Sequence, residues 1–140
     1  MEKEATLLTV EAIINAPLEK TWNYWTQPEH IIHWCFASVD WHAPSATNDL
    51  KVGGKSNTRM EAKDGSVGFD FEGEYTEVVN HELIAYKLAD ERTVRIEFLA
   101  EGNTTKIIER FVAELENPLE MQQQGWQAIL NNFKKYTETH

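Results

Sequence analysis

The chain has 140 residues, of which 41% are hydrophobic, and its formal net charge is −10. This length predicts one domain with a substantial core, and we expect it to span residues 1–140. The negative charge argues against binding to nucleic acid or to an anionic membrane surface, because both attract basic proteins. Since there is one cysteine, a disulfide framework and a cysteine-based zinc site are excluded.

The beginning of the sequence has no apolar core of the kind found in a secretory signal peptide, because charged residues follow Met1 directly. No run of residues approaches the roughly 20 apolar positions that a membrane helix needs. The sequence also lacks internal repeats, linkers and low-complexity segments. We therefore expect a cytoplasmic protein without a membrane partner.

The first part of the chain predicts one strand and two short helices. Residues 5–14 alternate in polarity, and the face that we expect to be buried carries Leu8, Val10, Ala12 and Ile14. Pro17 starts a short helix, and a second break at Pro28 starts another one over residues 28–34. The tryptophans of this region, which lie on the two helices, are Trp22, Trp25 and Trp34.

The middle of the chain predicts about six antiparallel strands. The first covers residues 36–43, a loop follows over residues 44–48, and the paired glycines Gly53 and Gly54 lead into a strand that reaches Ala62. Further strands are expected over residues 67–75, 83–88, 93–99 and 104–113. Because the turns between them are short, the strands form an antiparallel meander.

A long helix over residues 117–137 ends the sequence. Asn117 is placed to cap it, Pro118 suits its first turn, and Lys134 and Lys135 are expected in its last turn. Its apolar stripe consists of Leu119, Trp126, Ile129, Leu130, Phe133 and Tyr136. So wide an apolar face needs a sheet to pack against, which predicts an α+β fold with a curved antiparallel sheet of about six or seven strands around this helix.

Several short motifs occur in an order that resembles a known family. They are Asn15-Ala16-Pro17, Trp22, Thr26-Gln27-Pro28-Glu29-His30, Trp34, Leu50-Lys51-Val52-Gly53-Gly54, Asp64-Gly65, Gly73-Glu74-Tyr75 and Gly125-Trp126 with Leu130. The chain resembles the domain related to the carboxy-terminal part of the activator of the 90-kDa heat-shock protein's ATPase. This family belongs to the START-like, or SRPBCC, superfamily, which has the helix-grip fold. The chain departs from the family pattern at Thr21, where an aliphatic residue is usual, and at Ser56, where an aromatic residue is common.

The resemblance implies a deep cavity between the sheet and the long helix. Relatives in the superfamily bind lipids, sterols, polyketides or plant hormones there, and some catalyse cyclisation or hydrolysis. We therefore expect a protein that binds a small hydrophobic or amphipathic molecule, without a cofactor, rather than an enzyme.

Two alternatives remain open at this point. A co-chaperone-like module would present an exposed apolar patch to a chaperone partner. The eukaryotic co-chaperone carries a companion domain that is not in this sequence, so we expect no stimulation of a chaperone ATPase. A cyclase or hydrolase acting on a hydrophobic substrate would need at least two polar groups that point inward.

The residues expected to line a ligand pocket come from the aromatic and apolar faces of the predicted strands and helices. They are Trp34, Trp41, Phe69, Phe71, Tyr75, Phe98, Trp126, Ile129 and Phe133. The alternative is that these side chains only pack as core.

Glu109 is the first candidate for acid–base chemistry. If its strand turns Ile107 and Phe111 inward, Glu109 points into the cavity and its pKa is raised. If the strand turns Ile108 and Val112 inward instead, Glu109 is solvated. The two faces of the strand are almost equally apolar, so the sequence leaves both orientations open.

The other candidate charges are less specific. Asp40 and His42 raise the same question of orientation in their own predicted strand. Arg59 and Glu61 share a strand face, as do Arg95 and Glu97, so a buried ion pair is a further alternative. The histidines at positions 30 and 33 lack a carboxylate placed to complete a ligand set, so we expect no metal site.

Overall fold

The computed structural model describes residues 6–140. Residues 1–5 lie outside the described residues. They include the charged residues that argued against a signal peptide and the first residue of the first predicted strand. The elements in chain order are β1 (Leu7–Ile14), α1 (Leu18–Thr26), α2 (Pro28–Ile31), β2 (Trp41–Asn48), β3 (Lys55–Ala62), β4 (Gly68–Val79), β5 (Leu83–Leu88), β6 (Thr93–Glu101), β7 (Thr104–Val112) and α3 (Leu119–Thr139).

The seven strands form one antiparallel sheet with the order β1-β7-β6-β5-β4-β3-β2. Strands β2 to β7 form the predicted meander, and β1 pairs with β7, so the first and second strands of the chain occupy opposite edges. The curled sheet holds α3, and α1 and α2 lie between β1 and β2 along the chain. The α+β helix-grip fold predicted from the sequence is confirmed.

Helix α3 lies along the edge strand β1 and completes its hydrogen bonding. The side chains of Gln123 and Gln127 donate to the carbonyls of Thr9 and Glu11 at 3.1 and 3.2 Å, and Lys134 Nζ donates to the next carbonyl on that edge at 2.6 Å. An uncovered edge strand would present these acceptors to another chain. The helix therefore protects the sheet edge as well as packing against the sheet.

The core lies between the inner face of the sheet and α3. On α3 the deepest side chains are Leu130 and Phe133, which are fully buried, whereas Trp126 is partly buried and Leu119 is 45% exposed. Ile129 and Tyr136 also pack against the core, so the predicted apolar stripe is confirmed except at Leu119. The largest fully buried hydrophobic side chains of the protein are Phe111, Phe133, Ile14, Ile84, Ile96, Ile107, Leu130, Val10 and Val94.

The second strand differs from the prediction. The segment predicted as strand before Trp41 consists of bends and turns, and the predicted loop over residues 44–48 is the second half of β2. Pro44 had favoured the loop because proline cannot donate to a strand ladder. However, β2 is an edge strand, where proline is tolerated, and its pairing with β3 shifts register between His42 and Ser45 to accommodate it.

The ends of α3 also differ from the prediction. Pro118 is the N-cap, and Asn117 makes no capping bond to the helix; its side chain donates to Glu114 instead. Gln122 secures the entry to the helix, because its amide donates to the carbonyl of Asn117 at 2.8 Å and accepts from the backbone of Glu114 at 2.9 Å. The helix continues to Thr139, so no lysine lies in its last turn.

Thr21 is one of the two departures from the family pattern. Its side chain is fully buried, and its hydroxyl is hydrogen-bonded. The hydroxyl donates to the carbonyl of Pro17 at 3.0 Å and lies 3.3 Å from the hydroxyl of Thr105, which itself donates to the carbonyl of Ala16. These bonds tie α1 to the beginning of β7. A polar side chain is tolerated here because each group finds a partner.

Candidate functional site

A cavity of about 510 Å³ lies between the inner face of the sheet and α3. It is lined by side chains from α1, α2, the segment after α2, strands β2 to β5, β7 and α3. A volume of this size is typical of a small-molecule pocket and far exceeds the voids left by ordinary core packing. The cavity touches both α3 and the aromatic face of β4, as the sequence led us to expect.

Seven of the nine predicted pocket residues line this cavity: Trp34, Trp41, Phe69, Phe71, Tyr75, Trp126 and Ile129. The other two do not reach it. Phe98 packs against Trp22 and Trp25, with ring centroids 5.0 and 5.9 Å apart, and Phe133 packs against Trp25 and Trp34 at 4.8 and 4.9 Å. These two residues pack in the core and support Trp25 and Trp34, which line the cavity.

The aromatic walls are held in fixed orientations. The Trp126 ring stacks on Phe111, with centroids 4.0 Å apart and an interplanar angle of 9°, and meets Phe71 edge-on at 5.9 Å. The indole N–H of Trp34 donates to the carbonyl of Tyr24 at 3.0 Å. Each ring therefore has a partner that fixes its position, so the cavity is preformed.

Glu109 points into the cavity, which decides the orientation of β7. Its side chain lines the cavity, and only 5% of the residue is exposed, on the same face as the fully buried Ile107 and Phe111. Burial in these apolar surroundings raises the pKa of the carboxyl to about 8. Across the described residues, 6–140, the side chain has no hydrogen-bond or ion-pair partner, and Arg59 instead pairs with Glu61 at 2.9 Å, where both are partly exposed.

Two further polar side chains lie close to Glu109. Burial, followed by the nearby Glu109 carboxyl, raises the pKa of the Tyr86 hydroxyl well above its usual value. The same two causes, in the same order, raise the pKa of the Cys35 thiol to about 12. Cys35 is therefore an unreactive buried thiol and not a nucleophile.

A chain of hydrogen bonds fixes Tyr75 at the side of the cavity. Its hydroxyl donates to Asn48 Oδ1 at 2.5 Å, and Asn48 Nδ2 donates to the carbonyl of Thr26 at 2.6 Å. Ser56, the second departure from the family pattern, lines the cavity. The small serine thus leaves space that an aromatic side chain would fill.

Two glycines help to shape the cavity. A Cβ on Gly73 would lie 2.6 Å from Cδ2 of Tyr86, so the tyrosine ring packs directly over the glycine backbone. Gly125 lines the cavity from α3, and a Cβ there would meet nothing within 4 Å. Gly73 therefore positions the Tyr86 ring, and Gly125 leaves free space at the helix.

The mouth of the cavity lies near the beginnings of β4 and α3. Its exposed lining residues include Phe69 and Met121, together with Ala37 and Ser38 from the segment after α2. Arg92 lines the same region and is paired with Asp90 at 2.5 Å. The entrance is therefore mainly apolar, with one guanidinium that already has a partner.

The remaining candidates from the sequence lie elsewhere. Asp40 is exposed, and His42 Nε2 lies 3.9 Å from Glu61 Oε1; neither lines the cavity. His30 stacks on Tyr24, and its Nδ1 lies 2.8 Å from the Tyr136 hydroxyl, which joins α2 to α3. Within residues 6–140 no group of three or more side chains is arranged to hold a metal ion.

Sequence reasoning missed several residues of the cavity. Tyr86 is the most important of these, and its alternation with Ile84 on β5 was a signal that it shares the inward face. The signal for Cys35 was weaker, because it lies in a segment without regular structure.

Within the described part of the chain, no helix is long and apolar enough to span a membrane.

Comparison with known proteins relates this chain to one family. The family model described as "Activator of Hsp90 ATPase homolog 1-like protein" matches residues 15–138. The solution structure of an AHSA1-like protein from Aeromonas hydrophila is similar with a TM-score of 0.90 and 40% identity, covering 96% of this chain and 93% of that one. A solution structure from Cytophaga hutchinsonii has a TM-score of 0.81 and 55% identity, with coverage of 94% and 91%.

A crystal structure from Chromobacterium violaceum, at 19% identity and a TM-score of 0.84, covers 95% of this chain and 98% of that one and shows the shared fold alone. No curated protein matches the chain. The family match and the two closer similarities agree with the motifs, the strand order and the terminal helix described above. The chain belongs to the Activator of Hsp90 ATPase homolog 1-like protein family.

Proposed function

We propose that this protein binds a small apolar or amphipathic molecule in the cavity between the sheet and α3. The observation that carries the proposal is the preformed cavity of about 510 Å³, whose walls are mainly apolar with several aromatic side chains and which contains one buried carboxyl group. Pockets that bury most of a small ligand have this combination of apolar walls and a few polar groups. The partly exposed Phe69 and Met121 provide an apolar entrance.

The cost of keeping such a cavity supports the same proposal. A fold selected only for stability would gain by filling the space, because unfilled apolar volume forfeits packing energy. Gly125 is notable here, since alanine would favour the helix by about 0.5–1 kcal/mol and would fit without a clash. Retaining glycine at this position keeps the cavity open at the expense of helix stability.

Calorimetric titration with naphthylethanol, a neutral amphipathic probe, tests the proposal. We expect saturable binding at one site. Gly125→Leu should abolish it, because the new side chain extends into the cavity, whereas Gly125→Ala is the matched control that keeps most of the space. No binding to the parent protein, or equal binding to the leucine variant, would contradict the proposal.

A co-chaperone-like role is the second candidate, which the family description and exposed apolar side chains favour. Leu115 is 69% exposed and Met121 61% exposed, on either side of the start of α3. We expect the purified chain not to stimulate the ATPase of a 90-kDa heat-shock protein. Stimulation that is lost in Leu115→Ser, while probe binding is kept, would reverse the ranking of the two functions.

A catalytic role is the third candidate, because Glu109 and Tyr86 supply the two inward polar groups that a cyclase or hydrolase would need. The raised pKa of Tyr86 keeps its hydroxyl protonated, so it would act as a hydrogen-bond donor, with Glu109 as acid or base. Incubation of a recovered natural ligand with the parent protein and with Glu109→Gln tests this role. Turnover by the parent protein only would favour it.

A further inference from the structure

The carboxyl group of Glu109 lines the cavity and has no hydrogen-bond or ion-pair partner among the described residues. Glu109 lies on β7 between Val10 of β1 and Ile96 of β6, its register partners, and both of these side chains are almost fully buried and apolar. Among the described residues no lysine, arginine or histidine pairs with the carboxyl. A buried carboxyl without a partner costs free energy, so its presence at the wall of a cavity indicates a partner that arrives with the ligand.

The charges around the cavity restrict what that partner can be. Among the described residues, Arg92 is the only cationic side chain that lines the cavity. Arg92 lies at the mouth, is paired with Asp90 and donates to the carbonyl of Val112 at 3.5 Å. Glu114 also lines the mouth, and the whole protein carries a net charge of −10. An anionic head group would therefore meet no free cation inside, whereas a cationic ligand is attracted by the protein as a whole.

The aromatic lining also suits a cation. The Trp126 ring, which stacks on Phe111 and also meets Phe71, lines the cavity, and so does the Tyr86 ring near Glu109. The faces of tryptophan and tyrosine attract an ammonium group, and they do so more strongly where water is excluded. Carboxylate and aromatic faces together form a site for an organic cation.

We propose that the ligand is an amphipathic amine, whose apolar body fills the aromatic cavity and whose ammonium group pairs with Glu109. This inference rests on the proposed function and adds the chemistry of the ligand's polar end. On binding, the carboxyl releases its proton to the solvent and the ammonium keeps its own, so the complex contains a neutral ion pair. Neutral and anionic amphipathic molecules of the same shape bind more weakly.

Three naphthyl probes that differ only in their polar end test the inference: naphthylethylamine, naphthylethanol and naphthylacetate. Calorimetry at neutral pH should give the amine at least about tenfold tighter binding than the alcohol, and the acetate should bind most weakly. Glu109→Gln should lose about tenfold to a hundredfold of the amine affinity and leave the alcohol affinity almost unchanged. Glu74→Gln, which removes an exposed carboxylate on the outside of β4, is the matched control and should change neither.

The pH dependence gives a second test that needs no variant. Since the free carboxyl has a raised pKa of about 8, amine affinity should rise as pH increases from about 6 to about 8, with close to one proton released per ligand at pH 7. The other titratable groups that line the cavity are Tyr86, Tyr75 and Cys35, whose raised pKa values keep them protonated over this range. Arg92 and Glu114 lie at the mouth. A ligand that merely accepts a hydrogen bond from the protonated carboxyl would show the opposite sign.

The outcomes separate the two proposals. If the alcohol binds as tightly as the amine, or if affinity falls with pH, the amine inference is wrong and binding in the cavity stands. If the acetate binds most tightly, the inference is also wrong, and Arg92 becomes the residue to test. If none of the three probes binds, both the inference and the proposed function are contradicted.

Discussion

Replacing Glu109 with glutamine should stabilise the folded protein, and the gain should grow with pH. Glutamine has nearly the same shape and stays neutral at every pH. The glutamate is held in apolar surroundings that raise its pKa from 4.5 to about 8, so it is protonated in the folded protein over a range in which the unfolded chain has lost the proton. The unfolded state therefore binds fewer protons between these values, and stability falls as pH rises through this range.

The magnitude follows from the width of that range. Each unit of pKa shift corresponds to about 1.4 kcal/mol, and pH 7 lies about 2.5 units above the unfolded value, so the carboxyl costs the folded protein about 3 kcal/mol at neutral pH. The cost is absent below about pH 4.5 and levels off above about pH 8. Glu109→Gln should therefore exceed the stability of the parent protein by less than about 1 kcal/mol near pH 5 and by about 3 kcal/mol at pH 7.

Urea unfolding of the ligand-free proteins between about pH 5 and about pH 8 measures this difference directly. Comparing two variants at each pH cancels the contributions of all other titrating groups. Glu74→Gln, on the exposed face of β4, should show a constant small difference from the parent protein. A constant difference for Glu109→Gln as well would mean that the carboxylate is solvated or paired, and the reasoning about the cavity would be wrong.

Three further predictions concern the walls and the core. Phe133→Ala should lower the free energy of unfolding in urea by about 3–5 kcal/mol, because this ring is fully buried. Trp126→Ala should lower it less and should weaken naphthylethanol binding more. If the two variants had equal effects on stability and on binding, the separation of core from cavity would be contradicted. Gly73→Ala should displace the Tyr86 ring, since the new methyl group would lie about 2.6 Å from it. The NMR signals of the Tyr86 ring protons should therefore shift, and unchanged signals would contradict the packing of Tyr86 on Gly73. The Cys35 thiol, with its pKa raised to about 12, should resist alkylation in the folded protein and react only after unfolding, and rapid labelling of native protein would be inconsistent with its burial.

The strands could be predicted from the sequence wherever one face of a strand is exposed to solvent. Strand β4 is the clearest case, because Phe71 and Tyr75 alternate with exposed acidic residues. In β7 both faces carry apolar residues, since this strand lies inside the sheet between β1 and β6. The orientation of Glu109 could therefore not be decided from periodicity. Only the register with β1 and β6 fixes it.

The site was harder to predict than the fold. The large aromatic residues were found because their type and periodicity are visible in the sequence. The cavity depends equally on residues that stay small, namely Ser56, Gly73 and Gly125, and no local pattern distinguishes a glycine that leaves a cavity open from one that serves a turn. Phe98 and Phe133 pack beside the cavity instead of lining it, and the sequence could not show this because core and cavity residues share one apolar signature.

The central claim is that a small molecule occupies the space between the sheet and α3, and the five tryptophans allow it to be tested within one protein. Four of them line the cavity, at positions 25, 34, 41 and 126, whereas Trp22 does not. In proton–nitrogen NMR spectra, titration with naphthylethanol should shift the four cavity indole signals and leave the Trp22 signal almost unchanged, and Gly125→Leu should abolish all four shifts. Unchanged signals, equal shifts of all five, or shifts that persist in the leucine variant would contradict a ligand in this cavity.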